Sequence, residues 1–127
     1  ALVASDPKRP AELYLLNSAS ARPERLTDVN THIAALELGK TETVEWDFEN
    51  FRQDGVVTYP PDFQAGRKYP LVLYIHGGPR SASKEAFSPR AQLMAAQGWV
   101  VFEPNYRGSD NRGNAFQAAI WNDAGAG

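Results

Sequence analysis

Apolar positions along this chain change pattern at about residue 41 and again after the polar residues 62–68. In the first part they come as short β-like runs. Residues 12–16, Glu-Leu-Tyr-Leu-Leu, form a compact apolar run behind Pro10 that closes at the turn-prone residues 17–20, and a weaker run follows at 24–27. Two such runs separated by a turn predict a hairpin. A lone hairpin is marginal in water, so this segment should belong to a larger sheet. Further on, Val44, Trp46 and Phe48 alternate with Glu45, Asp47 and Glu49, which predicts a half-buried strand over 43–51. Gln53-Asp54-Gly55 reads as a hairpin turn, residues 56–59 return as a strand, and Pro60-Pro61 stops it because proline cannot donate to a ladder.

After the polar residues 62–68, the run Leu71-Val72-Leu73-Tyr74-Ile75 is apolar at nearly every position. That suits a strand covered on both faces in a parallel sheet; a buried helix is the rival, and the short span between Pro70 and a glycine pair favours the strand. It breaks at His76-Gly77-Gly78-Pro79. A helix with both ends marked follows: Ser88 as N-cap, Pro89 in the first turn, an apolar stripe of Ala91, Met94 and Ala95, and Gly98 at the close. Residues 99–102 predict a second apolar strand. The glycine-bearing loop 105–113 then leads to a helix over 114–122. The order β–α–β–α implies a parallel pair joined by a right-handed crossover, so this part is read as α/β.

Composition narrows the function classes. Thirteen Lys+Arg against fifteen Asp+Glu give a net charge of −2, with neither the basic footprint of a nucleic-acid binder nor a polybasic patch for anionic lipid. No stretch approaches the roughly 18 consecutive apolar residues of a membrane-crossing helix. The chain is therefore expected to engage neither nucleic acid nor membrane. With no cysteine, disulfides, thiolate metal sites and a Cys nucleophile are excluded within it. The opening residues Ala1 to Asp6 are too short and lack the basic end of a signal peptide.

The candidate chemistry sits at the His76-Gly77-Gly78-Pro79 turn, just past a buried strand, where ligands of open α/β sheets collect. Two glycines there let the backbone approach a substrate and aim N–H groups at it; equally, they suit a tight turn that needs positive φ. An N–H aimed at a carbonyl oxygen that gains negative charge is worth roughly 3–4 kcal/mol of barrier. His76 could be a general base, but a catalytic imidazole of this architecture comes late in the chain, which favours a role in shaping the loop. His32 reads as a solvated loop residue. Two histidines without carboxylates at ligand spacing predict no metal site, and nothing calls for a cofactor. The seven serines, Ser5, Ser18, Ser20, Ser81, Ser83, Ser88 and Ser109, include none with glycine at both −2 and +2, so no G-x-S-x-G nucleophile elbow is present. Arg107, in Asn-Tyr-Arg-Gly-Ser, could bind an anion or brace neighbouring loops through its planar fork of donors. Without G-x-G-x-x-G or a P-loop Lys, a nucleotide site is the weaker reading.

Residues 68–79, Lys-Tyr-Pro-Leu-Val-Leu-Tyr-Ile-His-Gly-Gly-Pro, resemble the entry to the catalytic domain of the prolyl oligopeptidase family, closest to its acylaminoacyl-peptidase and dipeptidyl-peptidase-like branch. Residues 92–98, then Val100-Val101-Phe102 through Asn105-Tyr106-Arg107-Gly108-Ser109, resemble its second signature, and residues 116–123 with Gly125 the stretch that runs toward the nucleophile. Upstream, residues 10–16 and 25–27 with Asn30 are similar to the last blade of the family's β-propeller. The resemblance implies a partial α/β-hydrolase preceded by short propeller strands: residues 1–40 as the end of a propeller, 41–127 as the opening of a truncated catalytic domain.

The resemblance also implies a serine peptidase acting on short peptides through an acyl-enzyme, with the propeller restricting access. Gly78, with Gly77, would offer an oxyanion-hole amide. His76 would stand where other branches carry a tyrosine hydroxyl, and Arg107 would be a structural brace. The nucleophile, acid and histidine of that family are expected outside this polypeptide, leaving it inactive alone. Residues 54–60 look shorter than the family's usual strand pair. The expected partners are a peptide substrate and either the remainder of the catalytic domain or a self-partner, because part of a parallel sheet leaves strand faces and edges uncovered. The alternative is a non-catalytic, hydrolase-derived interaction module.

Overall fold

Residues 2–6 alternate half-buried Leu2 and Ala4 with outward Val3 and Ser5, the period of a strand. In the computed structural model, which describes residues 1–78, 80–123 and 125, they form β1 (Leu2–Asp6). This strand pairs antiparallel with β2 (Arg9–Leu15), which in turn pairs with the two-residue β3 (Glu24–Arg25). The hairpin expected from residues 12–27 is therefore the β2–β3 part of a three-stranded sheet in which β2 is central. His32, expected in a loop, sits on an exposed 3₁₀ turn, Thr31–Ala35.

A buried carboxylate organises the chain that follows. Glu12 projects from β2 and accepts hydrogen bonds from the Thr27 hydroxyl, the Val29 and Asn30 amides and the Asn30 side chain. The Thr27 hydroxyl leads these bonds in holding the Glu12 carboxyl below the ordinary range, against the opposing pull of burial.

The second sheet has the order β4-β5-β7-β6, built from β4 (Thr41–Phe48), β5 (Phe51–Thr58), β6 (Leu71–Leu73) and β7 (Val100–Asn105). β4 and β5 are paired over their full eight residues, from Thr41 opposite Thr58 to Phe48 opposite Phe51. The turn is Glu49-Asn50, both with positive φ (48° and 65°) as in a two-residue primed turn. Gln53-Asp54-Gly55, read from sequence as the turn, lies inside β5 instead. Gly55 is there for close packing: a Cβ would stand 2.5 Å from Phe102 Cε2 and 3.0 Å from Pro104 Cα.

β6 and β7 are parallel, joined through α1 (Pro89–Ala95). The Ser88 hydroxyl caps α1 by accepting from the Ala91 amide at 3.2 Å, and Gly98 takes a φ of 84° just past its end. The buried stripe is Ala91, Gln92 and Ala95, with Gln92 inside in place of the expected Met94. Gln92 clasps the buried Gly39: its Oε1 accepts from the Gly39 amide at 2.8 Å and its Nε2 donates to the Gly39 carbonyl at 3.0 Å. Gln92→Leu keeps the volume but leaves both Gly39 groups without a partner. It is expected to cost about 2–3 kcal/mol in urea unfolding; a loss below about 0.5 kcal/mol would mean that water reaches Gly39.

The expectation that residues 71–75 are covered on both faces fails. Leu71, Leu73 and Ile75 are 63%, 55% and 59% exposed. Cross-strand register puts Leu73, Phe102 and Val57 on one face, and Trp46 meets Phe102 edge-on at 5.7 Å on that same side. α1 packs against β5 and β7, and Val56, Thr58 and Val101, which alternate to the other face, are buried. The sheet is thus covered on one side. α2 (Asn114–Ala118) is shorter than the expected 114–122 and is anchored by buried Phe116 against Phe51.

Candidate functional site

The two parallel strands end side by side, which brings the loops after β6 and β7 to one edge. The ladder runs one residue past β6, where the Tyr74 amide donates to the Phe102 carbonyl at 2.8 Å. The chain then turns outward through Ile75 and half-buried His76 to Gly77 and Gly78, both exposed. Pro79, the last residue of the predicted turn, lies outside the described residues. Among the described residues, no acceptor takes the amide of Gly77 or Gly78. Gly78 has a φ of 148°, and a Cβ on it would stand 2.9 Å from the Arg80 amide nitrogen; a Cβ on Gly77 would meet open space.

His76 is tied down on three sides. Its ring stacks on Tyr106 with centroids 4.6 Å apart and planes 19° from parallel. Its Nε2 lies 2.9 Å from the Ser109 hydroxyl and its Nδ1 3.1 Å from the Gly77 carbonyl oxygen. The Tyr106 hydroxyl donates to the His76 carbonyl at 2.5 Å. A serine hydroxyl on an imidazole nitrogen is also the geometry of an activated nucleophile. Ser109, however, is 0% exposed, so no substrate carbonyl can reach it. Sequence reading dismissed Ser109 as a nucleophile and passed over Tyr106; their partnership with His76 spans about thirty residues and left no local pattern.

The base of the glycine loop is sewn to the end of β7. Buried Asn105 accepts from the Ser83 amide at 2.7 Å and donates to the Ser83 carbonyl at 3.0 Å and to Asp54 Oδ1 at 2.8 Å. The Asp110 amide donates to the Ser81 carbonyl at 3.1 Å. Asp54 also accepts from Asn111 Nδ2 at 2.7 Å and Arg112 Nη2 at 2.8 Å. Arg107 reaches the hairpin tip, its Nη1 2.8 Å from Glu49 Oε2.

Arg112 bridges Asp54 and Glu45, and Arg52 binds the other oxygen of Glu45. Hydrogen bonds from Arg112, then Arg52, hold the Glu45 carboxyl down at about 2, against an ordinary value of 4.5. Burial pushes Glu103 the other way, with Arg90 opposing. A lowered folded value stabilises above the unfolded one and is lost as pH falls through the folded one. Glu45 and Glu12 should therefore make the fold progressively less stable from about pH 4.5 toward pH 2, whereas the raised carboxyl of Glu103 contributes in the opposite sense. Urea unfolding at a series of pH values should show a shallower acid loss for Glu45→Gln than for the wild type. Parallel curves would remove Glu45 as a source.

Residues 85–127 match the family model described as the prolyl oligopeptidase family. The chain is similar to dipeptidyl-peptidase 5 of Aspergillus fumigatus, 38% identical over 92 residues that cover 69% of this chain and 13% of the relative. Its fold matches the Pyrococcus horikoshii acylaminoacyl peptidase with a TM-score of 0.80 at 28% identity, over 93% of this chain and 19% of that one. Porphyromonas gingivalis dipeptidyl peptidase 4 shares the fold, with a TM-score of 0.75 at 21% identity, over 94% of this chain and 18% of that one. The chain thus spans about an eighth of its curated relative and less than a fifth of these two solved structures. The architecture is a partial α/β-hydrolase preceded by propeller-like strands. The family match at residues 85–127, the dipeptidyl-peptidase 5 relative and the solved structures together support a fragment of the prolyl oligopeptidase family.

Proposed function

We propose that this chain supplies part of the oxyanion hole of a serine peptidase that hydrolyses short peptides through an acyl-enzyme. The observation that carries the reading is a pair of exposed glycine amides without a protein acceptor among the described residues, at the carboxyl end of a parallel strand. A donor without a protein acceptor needs no intramolecular hydrogen bond broken when a carbonyl oxygen turns into an oxyanion. Gly78 donates to that oxygen, with Gly77 beside it. His76 shapes the loop, and Arg107, paired with Glu49, braces the neighbouring one.

The nucleophile, the acid and the catalytic histidine come from the remainder of the catalytic domain. That remainder, or a second copy in its absence, covers the face of Leu71, Leu73 and Ile75. Upstream strands of the propeller type restrict access to short peptides. Hydrolysis of dipeptidyl and acyl-aminoacyl 4-nitroanilides should be absent with this chain alone and restored on mixing with the remaining catalytic domain. A serine-directed fluorophosphonate should leave this chain unlabelled. Turnover by the chain alone, or labelling of Ser109, would overturn the assignment.

A further inference from the structure

We infer that Ser109 is a positioning residue that aims the Gly78 amide by way of His76; the inference rests on the oxyanion reading above. A carbonyl can only accept, so the 3.1 Å contact to the Gly77 oxygen requires the proton on His76 Nδ1. Nε2 is then the acceptor, and the Ser109 hydroxyl donates to it at 2.9 Å. Ser109 is wholly buried, and its own amide is held by the Tyr106 carbonyl at 3.0 Å, so the hydroxyl has a fixed origin. The Gly77 carbonyl and the Gly78 amide belong to one planar trans peptide and point in opposite directions. Holding the carbonyl on the imidazole therefore turns the Gly78 N–H to the far side.

Apart from the Tyr106 hydroxyl, which holds the His76 carbonyl and lies 3.5 Å from Nδ1, nothing else among the described residues restrains this peptide. Neither glycine amide has a protein acceptor, and Gly77 has nothing within 4 Å of where a Cβ would stand. A peptide between two glycines rotates freely unless something holds it. The series Ser109 hydroxyl, imidazole, Gly77 carbonyl is what holds it here, and Tyr106 keeps the ring flat against its own.

The test is spectroscopic. The chain has two histidines, so ¹⁵N-histidine labelling gives two imidazole patterns, with His32 assigned from His32→Gln. Long-range ¹H–¹⁵N correlation at neutral pH should show His76 as the Nδ1–H tautomer. Ser109→Ala should convert it to a mixture and shift and broaden the Gly78 amide resonance. Ser109→Cys, similar in size and a weaker donor, should fall between. Tyr106→Phe, which keeps the stack, should leave the tautomer unchanged. An Nε2–H tautomer in the wild type overturns the inference without any variant, and so does a Ser109→Ala spectrum in which His76 and Gly78 stay put. Failure of the oxyanion reading would appear elsewhere, as unimpaired turnover in a Gly78→Ala enzyme with the imidazole spectrum intact.

Discussion

Asp54→Ala is expected to lower the unfolding free energy by about 3–5 kcal/mol, the cost of removing one partner from a largely buried charged network. Three donors converge on this carboxylate: Asn105 at 2.8 Å, Asn111 at 2.7 Å and Arg112 at 2.8 Å. Asn105 is buried and Arg112 Nε already has no partner, so alanine would strand groups that water cannot easily reach. An exposed ion pair would predict about 1 kcal/mol or less. The side-chain exposures of 12% for Asp54 and 26% for Arg112 favour the larger figure. Asp54→Asn keeps the shape and one acceptor and should cost roughly half as much. Urea unfolding gives the total, and amide exchange over residues 105–112 should rise in the alanine variant. A total below about 1 kcal/mol would return the cluster to the exposed class.

The second large effect concerns activity. In the enzyme reconstituted with the rest of its catalytic domain, Gly78→Ala should lower kcat about 100-fold or more, with KM little changed. The φ of 148° is disfavoured for any residue with a Cβ, and that Cβ would stand 2.9 Å from the Arg80 amide nitrogen and 3.3 Å from Ser81. The loop must move to admit it, and a misplacement of about 1 Å is enough to cost about 100-fold. Gly77→Ala places its methyl in open space and should cause a far smaller fall. Equal losses at both positions would show that glycine matters there for flexibility rather than for the direction of one amide.

The crossover, its capped helix and the turn after β6 were legible because each is set by neighbours in sequence. Ser88, Pro89 and Gly98 mark α1 whatever packs around it, and the shortness of the apolar run between Pro70 and the glycine pair favours a strand over a buried helix. What escaped is set at a distance. Asp54-Gly55 carries the local grammar of a turn, yet Asp54 collects donors more than fifty residues away and Gly55 makes room for Phe102. Gln92 lies outside the apolar stripe read from sequence, yet distant Gly39 needs both ends of its amide. The covered strand was misjudged for a different reason: an apolar run reports what a strand could bury, and α1 packs on the opposite face of this sheet. Of the proposed site, the glycine pair and His76 are marked in the sequence by the turn that follows the apolar run. The partners that orient His76 are not.

Glu49 sits at a φ of 48°, a conformation that glycine or asparagine adopts at less cost, and its carboxylate is what reaches Arg107. Hairpin robustness and anchorage of the distal loop therefore compete for a single position. An engineer who repairs the bend toward Asn-Gly would obtain a tighter ribbon and a looser rim, and thermostability screens alone would reward the wrong variant.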